Sequence, residues 1–366
     1  MVEPLVSILI PAYNASRWIG ETIESALAQT WTRKEIIVVD DGSFDHTREI
    51  VESYRGRGVV LVAQQHQGAA AARNRAYAQS HGDYVQWLDA DDLLGPEKIS
   101  RQVALLTRWG SRRMLASGPW AHFRYRPARA VFRPNALWED LTPADWLVRK
   151  LSLNLHMQTG TWLIPRELAG AAGLWNTTLL GDDDGEYSCR LLLNSDGIRF
   201  EPRARLYYRS ISSNRLSYIG HSDAKKDAQF ASMQLHIHYL RTMEDSERAR
   251  AAGVTYLQNW LIHFFPERQD IVERAKTMAR ELGGELREPE LSWKYRWVKE
   301  LFGWKVAKRV QVFLPALRQS AASSHDHLMA RLEALARNEP LERRGPAPKD
   351  TEFTAAGGKP PMTNDE

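Results

Sequence analysis

The chain has 366 residues, of which 43% are hydrophobic and 26% charged, and this composition excludes wholesale disorder while allowing a large domain with an accessory region or two domains. Its single cysteine, Cys189, excludes an internal disulfide and a thiolate zinc cluster. The formal net charge is +4, but residues 1–100 carry 9 Lys and Arg against 14 Asp and Glu, so overall basicity does not predict a nucleic-acid partner.

Residues 1–92 alternate short apolar runs with segments of helical periodicity. Strands are predicted at residues 5–10, 35–39, 59–62 and 84–88, and helices at 18–27, 45–54 and 68–80. This order predicts an α/β fold in which a mostly parallel sheet carries helices on both faces. Ligands of such sheets bind beyond the carboxyl ends of the strands, where Pro11 to Asn14, Asp40 to Ser43 and Asp89 to Asp92 stand.

The rest of the chain divides into three predicted regions. Further helices and strands, including a helix at 96–108, a strand at 162–165 and a helix at 186–195, complete a main domain over residues 1–220. A helical accessory region follows over 221–337, with a helical segment at 293–317 that we expect to be interrupted near Pro315. Residues 338–366 are rich in Pro, Gly, Lys, Asp and Thr and are expected to be disordered.

The sequence offers no secretion signal, because the N-terminus lacks a basic segment before its first apolar run, and no window is long enough to span a membrane. A cytoplasmic protein is therefore expected. The basic, aromatic segment at 293–317 favours either peripheral contact with the inner face of an anionic membrane or packing on the main domain or another subunit. The residues on which this interpretation rests are Trp293, Trp297, Leu301 and Trp304, with Lys294, Arg296, Lys299, Lys305, Lys308 and Arg309.

Two acidic pairs end predicted strands of the sheet. Asp89 and Asp91 follow the fourth strand, and neighbouring carboxylates with oxygen ligands suit Mn²⁺ or Mg²⁺ that shares its coordination with substrate phosphates. Asp40 and Asp41 follow the second strand, where they can accept hydrogen bonds from a base or a ribose hydroxyl. The alternatives are a solvated acidic turn for the first pair and a capped strand-to-helix turn for the second.

Four motifs occur in a specific order and spacing. They are Pro11-Ala12-Tyr13-Asn14, Val39-Asp40-Asp41-Gly42-Ser43, Gly68 to Asn74, and Leu88-Asp89-Ala90-Asp91-Asp92. Residues 5–110 thereby resemble the nucleotide-sugar-binding half of a family-two glycosyltransferase. The resemblance implies a GT-A type, Rossmann-like sheet, a nucleoside-diphosphate sugar donor, a hydroxyl acceptor and inversion at the transferred sugar. It also implies an acceptor that is a growing glycan or a lipid-linked molecule.

The resemblance implies roles for the residues of these motifs. Tyr13 is expected to stack on or flank the base, and Pro11 to offer backbone contacts. Asp41 is expected to accept a hydrogen bond from the base, with Asp40 nearby.

The remaining matching positions concern the diphosphate. Asp89 is expected to face the ribose or a metal-bound water, and Asp91 to bind the metal directly. Arg73 and Asn74 are expected to order the acidic loop and the phosphates, with a structural salt bridge from Arg73 to one of the aspartates as the alternative.

A general base is needed to take the proton from the acceptor hydroxyl. In the family the base lies in an acidic pair that precedes a helix with a downstream arginine, and counting back from Arg190 places that pair at Asp183 and Asp184. Asp184 is the first choice and Asp183 the second, while Glu186 occupies the next acidic position. A third acid at Asp182 leaves the register open by one residue.

Two other functions remain compatible with the fold. A nucleotidyltransferase also binds a metal-nucleotide over a parallel sheet, although its Gly-rich phosphate loop is not matched by residues 11–14. A non-catalytic scaffold with a degenerate sugar-nucleotide site is the second, although retention of Asp89/Asp91 and Asp183/Asp184 argues against it. The sequence does not identify the base, the sugar, the acceptor or the linkage.

Overall fold

A computed structural model describes residues 3–210, 222–289 and 296–336, and its centre is a five-stranded sheet. In spatial order the strands are β3 (Val59–Ala63), β2 (Lys34–Asp40), β1 (Val6–Ala12), β4 (Tyr84–Trp87) and β8 (Ile164–Pro165). The first four are parallel, and β8 pairs antiparallel with β4. The predicted mostly parallel α/β sheet is therefore confirmed. Strand β1 continues through Pro11, which lies beyond the last pairing with β4 at Leu9.

Helices cover both faces of this sheet because its strands are apolar on both sides. The first four helices are α1 (Ile19–Leu27), α2 (Thr47–Glu52), α3 (Ala69–Ala78) and α4 (Lys98–Trp109). Ile8 and Ile10 of β1 belong to a core that includes Ile23 of α1 and Val103 of α4, whereas Leu9 belongs to a second core with the small residues of α3. The two-residue period of the strand thus separates the two cores.

The middle of the chain adds two small sheets and three helices beside the main sheet. Strands β5 (Leu93–Leu94), β10 (Leu206–Arg209) and β7 (Trp120–Phe123) form one small sheet, and β6 (Met114–Ser117) and β9 (Gly197–Phe200) form the other. The helices are α5 (Pro143–Ser152), α6 (Arg166–Ala172) and α7 (Asp183–Asn194). Helix α7 begins three residues before the predicted start at Glu186, so the acidic run forms its first turn.

The later helices are α8 (Asp223–Met243), α9 (Glu247–Phe264), α10 (Gln269–Glu281) and α11 (Arg296–Ala336). Helices α8 to α10 are not a separate body, because Phe230, Leu257 and Ile271 share one hydrophobic core with Leu9 and Trp87 of the main sheet. The predicted boundary at residue 220 lies outside the described residues, and the helices that follow it share a hydrophobic core with the main sheet.

Helix α11 differs from the sequence prediction at its interruption. Its non-helical residue is Gly303, with φ of 78° and ψ of 171°, and the helix continues past Pro315. The Trp304 ring lies 5.6 Å from that of Phe265, whereas Trp297 is 59% exposed. Trp293, Lys294 and the predicted disordered tail at 338–366 lie outside the described residues. Within the described ranges, none of the helices combines the length and apolar character needed to cross a bilayer.

Candidate active site

The loops after β1, β2 and β4 meet at one edge of the sheet because these three strands are neighbours. The loops after β1 and β2 are joined by direct hydrogen bonds. Asn14, which has a positive φ of 48°, donates its backbone N–H to Ser43 Oγ at 2.9 Å and accepts the Phe44 N–H on its side-chain oxygen at 3.1 Å. The motifs predicted to bind the nucleotide are thus parts of one surface.

Asp41 is buried, and its carboxylate holds the loop between β3 and α3. Oδ1 accepts from Gln64 Nε2 at 2.7 Å and from the Gln67 N–H at 2.9 Å. Oδ2 accepts from the Gly68 N–H at 2.8 Å and lies 2.9 Å from His66 Nδ1. A carboxylate has about four lone-pair sites, so a hydrogen bond from a nucleotide base requires one of these donors to move.

The two other residues predicted near the base differ in exposure. Tyr13 is 43% exposed, and its ring stacks on that of His66 with centroids 4.1 Å apart. Asp40 is buried and accepts the Ser43 N–H at 3.2 Å. Tyr13 therefore presents an aromatic surface at the edge of the sheet, whereas Asp40 shapes the turn.

The acidic loop after β4 contains one structural and two more accessible carboxylates. Asp92 is buried and accepts the Arg209 N–H at 2.9 Å, while Arg209 Nε donates to the Asp91 carbonyl at 2.7 Å. Burial, followed by the charges of Asp91 and Asp89, raises the pKa of Asp92 well above its usual value. The side chain of Asp89 is 40% exposed. Across the described ranges, no three His, Cys, Asp or Glu side chains converge as a metal site.

Arg73 joins this acidic loop to the predicted catalytic pair. Its Nη2 donates to Asp89 Oδ1 and its Nη1 to Asp183 Oδ2, both at 3.0 Å. The guanidinium carbon lies 4.3 Å from the centroid of the Trp175 ring, and Asn74 exchanges two hydrogen bonds with the Trp175 backbone. The structure shows the salt bridge that was one alternative for Arg73, and Asn74 holds the chain that leads to α7.

Asp183 and Asp184 lie in the first turn of α7, where the helix N-terminus favours negative charge. Burial and the neighbouring charges of Asp182 and Asp183 raise the pKa of Asp184 to about 7. Burial also raises the pKa of Asp183, although the charge of Arg73 acts in the opposite direction. Asp184 is thus the member of the pair that is not occupied by Arg73 and that titrates near neutrality.

Glu186 is excluded from a similar role by its partners. It is 2% exposed, and Arg190 donates to both of its oxygens at 2.7 and 2.8 Å. The Tyr239 hydroxyl donates to the same carboxylate at 3.0 Å. Glu186 and Arg190 therefore form an internal ion pair that packs α7 against α8.

Asp182 connects the first turn of α7 to the later helices, and nothing in the sequence pattern pointed to this connection. It adopts a left-handed conformation with φ of 55°, and its Oδ2 accepts from Gln229 Nε2 at 3.0 Å and from Ser232 Oγ at 2.9 Å. Ser232 Oγ lies 3.2 Å from His236 Nε2, and His236 Nδ1 lies 3.1 Å from the Tyr256 hydroxyl. Burial lowers the pKa of His236 to about 4, so this imidazole is neutral at pH 7.

Substitution of Gly185 by Ala is expected to destabilise the protein and to reduce activity together. A Cβ at this position meets the Asp182 carboxylate and lies 2.9 Å from His236 Cε1. Overpacking of this kind costs about 1–3 kcal/mol, measurable by urea unfolding. Gly56→Ala is the control, because a Cβ there has nothing within 4 Å. Equal stability of the two variants would show that the Asp182 turn is not tightly packed.

Comparisons with known proteins agree with this geometry. A family model described as glycosyl transferase family 2 matches residues 7–132. An uncharacterized glycosyltransferase of Rickettsia typhi is 43% identical over 106 residues, which are 29% of this chain and 33% of that protein. The Escherichia coli UDP-Glc:alpha-D-GlcNAc-diphosphoundecaprenol beta-1,3-glucosyltransferase WfaP is 42% identical over 100 residues, 27% of this chain and 40% of that protein. The chain thus matches less than half the length of these curated relatives.

A solved structure extends the likeness in fold to nearly the whole chain. S. aureus TarS 1–349 in complex with UDP-GlcNAc has a TM-score of 0.62 at 16% identity, covering 92% of this chain and 93% of that one. At this identity the likeness concerns the fold alone. Residues 7–132 therefore match glycosyl transferase family 2, and the chain has a GT-A fold.

Proposed function

We propose that this protein transfers a sugar from a nucleoside-diphosphate sugar to a hydroxyl group of a glycan or lipid-linked acceptor. The observation that carries the proposal is the double ion pair of Arg73. It brings Asp89, at the edge where GT-A proteins bind their donor, beside Asp183 and hence beside Asp184. The donor class is supported by the UDP-GlcNAc complex of TarS and by the UDP-Glc donor in the name of the E. coli relative.

Asp184 is proposed as the general base. A base works best when its pKa lies near the working pH, and Asp184 combines a pKa of about 7 with freedom from the Arg73 ion pair. Its carboxylate would remove the proton of the acceptor hydroxyl as that oxygen attacks the anomeric carbon and the nucleoside diphosphate leaves. A single in-line displacement of this kind inverts the anomeric centre.

Asp91 and Asp89 are the residues that would hold Mn²⁺ or Mg²⁺. They fit such an ion because their ligand atoms are carboxylate oxygens only, and after burial it is their negative charges that raise the pKa of Asp92. Two protein ligands leave the other coordination positions to water and the donor diphosphate. When bound, the ion would neutralise charge on the leaving nucleoside diphosphate.

Peripheral contact with a membrane is part of the proposal because the acceptor in the name of the E. coli relative is lipid-linked. Large apolar side chains near the start of α11 are solvent-exposed: Trp297, Leu301, Phe302 and Val306. Apolar side chains beside lysines are typical of helices that lie on anionic lipid. Lys308 does not contribute to such a lipid-facing surface, since its Nζ donates to the Phe265 carbonyl and the Glu267 carboxylate within the protein. The biological role that we propose for transfer to such an acceptor is the synthesis of a surface glycan.

A thermal-shift series with UDP-, GDP- and dTDP-sugars, each with and without Mn²⁺, tests the proposal. Ligand at a hundredfold excess over its Kd stabilises a protein by about 2.7 kcal/mol, which raises Tm by roughly 3–4 °C for a chain of this size. We expect the largest shift with a UDP-sugar and Mn²⁺, and loss of the Mn²⁺-dependent part in Asp91→Asn. Glu285→Gln, at an exposed acid far from the acidic loop in sequence, is the control.

The outcomes separate the competing functions. No shift with any sugar nucleotide would refute the proposal. A shift with nucleoside triphosphates in place of sugar nucleotides would favour a nucleotidyltransferase. Binding of a donor without any hydrolysis or transfer would favour a non-catalytic scaffold.

A further inference from the structure

A cleft outside the candidate active site lies between the turn after β7 and the last part of α11. Its volume is about 320 Å³, at the lower end of the range for small-molecule sites. Three arginines and two histidines line it, and Asp326 is the acidic residue among the lining side chains. The basic residues are Arg124, Arg126, Arg129, His122 and His325.

The cleft keeps a surplus of positive charge after its internal ion pairs are counted. Arg126 binds Asp326 at 2.6 Å and Glu333 at 2.8 Å, and these two carboxylates more than compensate its charge, so the surplus that remains with Arg124 and Arg129 is one positive charge. Arg124 and Arg129 form no ion pair with any carboxylate in the ranges that the structure describes. The guanidinium groups of Arg124 and Arg129 favour a phosphate or diphosphate group, since guanidinium binds phosphate oxygens through paired N–H donors.

The cleft is built by residues about 200 positions apart. The Tyr125 N–H donates to Asp326 Oδ2 at 3.0 Å, and the Tyr125 ring stacks on His327 with centroids 4.5 Å apart. Together with the Arg126 ion pairs, these contacts fix α11 against the main domain. Helix α11 thereby supplies one wall, and the cleft is complete only when this helix is docked.

One side chain links the cleft to the acidic loop of the candidate active site. Arg209 donates Nη1 to the Arg124 carbonyl at 3.1 Å and Nε to the Asp91 carbonyl at 2.7 Å. The backbone of Arg124 is therefore separated from that of Asp91 by a single guanidinium. An anion bound in the cleft would lie beside the acidic loop, but it would be bound by the basic residues of the cleft.

From these contacts we infer that the cleft binds the phosphate or diphosphate group of a phosphorylated acceptor. The inference rests on the proposed function for the identity of the acceptor, while the anion site itself stands on Arg124 and Arg129, in a cleft that the Arg126 ion pairs hold together. The same chemistry occurs in a lipid phosphate at a membrane and in a water-soluble phosphorylated glycan. Binding of this phosphate would hold the acceptor beside the acidic loop, where the acceptor's hydroxyl would receive the sugar.

The test compares the full chain with Arg124→Gln/Arg129→Gln, and uses Arg108→Gln/Arg112→Gln at the end of α4 as the charge-matched control. Inorganic pyrophosphate is titrated by calorimetry in the presence of EDTA, so that no divalent ion binds to the acidic loop. We expect the Arg124/Arg129 variant to bind about tenfold more weakly or worse, because it loses charge-assisted hydrogen bonds, and the control to bind normally. Undocking the helix wall with Arg126→Gln is expected to weaken binding as well.

A second arm identifies the source of the phosphate. Sedimentation with phosphatidylcholine vesicles, with and without phosphatidic acid, measures binding that depends on a lipid phosphate. Phosphatidic acid-dependent sedimentation that the double variant loses supports a lipid-linked acceptor, whereas a loss confined to pyrophosphate supports a water-soluble one. Equal affinity of wild type, double variant and control for both probes, or no binding of either probe to wild type, overturns the inference.

A third measurement keeps this inference distinct from the proposed function. UDP affinity in the presence of Mn²⁺ is measured on the same proteins, and the double variant is expected to retain it. Failure of wild type to bind UDP counts against the donor assignment, and the pyrophosphate titration still decides the anion site. Loss of UDP affinity in the double variant together with a lowered Tm would show that the two arginines support the fold, and would overturn the inference.

Discussion

Asp184→Asn is expected to slow sugar transfer by about 10²- to 10⁴-fold, the contribution typical of a general base. Donor binding should persist, because the variant leaves Arg73 and its partners Asp89 and Asp183 in place. The measurement is kcat for transfer beside the Kd of the nucleotide sugar. Full activity in this variant would assign the base elsewhere, with Asp183 as the next residue to test.

The pH dependence of the wild type provides an independent check on Asp184. Its carboxylate must be ionised to accept a proton, so kcat/KM should rise with pH and level off above about 7, the pKa of Asp184. Asp182→Asn removes one of the like charges that raise this pKa and should shift the rise to lower pH. A profile that is unchanged in Asp182→Asn would contradict the electrostatic coupling.

The thermal stability of Asp184→Asn distinguishes a loss of catalysis from a loss of folding. The raised pKa of Asp184 means that the folded state holds its proton more tightly than the unfolded state, so its stabilising contribution is lost as pH rises toward about 7. Asparagine resembles the protonated carboxyl and carries no charge at any pH. Asp184→Asn should therefore raise Tm more at pH 8 than at pH 5, although it is nearly inactive at both.

The sequence predicted the central sheet because buried parallel strands are continuous apolar runs. The run at 35–39 became β2 (Lys34–Asp40), for example, with one added residue at each end. Helix α6 (Arg166–Ala172) was not predicted, since its small residues give no clear helical period. The start of α7 was placed too late because its first turn is acidic, and apolar periodicity begins only at Tyr187.

The sequence predicted which loops form the candidate site, but it did not predict which side chains bind each other there. Neighbouring strand ends locate Tyr13, Asp41 and Asp89 at one edge without any knowledge of side-chain contacts. The ion pair of Arg73 with Asp183 joins residues 110 positions apart, and no local pattern encodes that distance. The four donors on Asp41 likewise depend on how the β3–α3 loop folds back.

Arg73→Met is expected to destabilise the protein by about 3–5 kcal/mol, because removing one partner of a buried ion pair leaves uncompensated charge. The Arg73 side chain is 9% exposed and neutralises both Asp89 and Asp183, so two carboxylates lose their partner at once. Transfer activity should fall with stability, since the same guanidinium holds the acidic loop beside α7. Urea unfolding and a transfer assay on the folded fraction measure the two effects.

Two comparisons distinguish this effect from the loss of any surface charge. Arg57→Met breaks the exposed pair with Glu24, in which both side chains are about half exposed, and should cost much less stability than Arg73→Met because water screens the pair. Arg73→Lys keeps the charge, but an ammonium lacks the planar fork that reaches two carboxylates, so it should restore stability only in part. The penalty of Arg73→Met should also be larger at pH 8 than at pH 5, where Asp183, whose pKa is raised by burial, can take up a proton in compensation. Equal penalties for Arg57→Met and Arg73→Met would show that Arg73 does not organise the site.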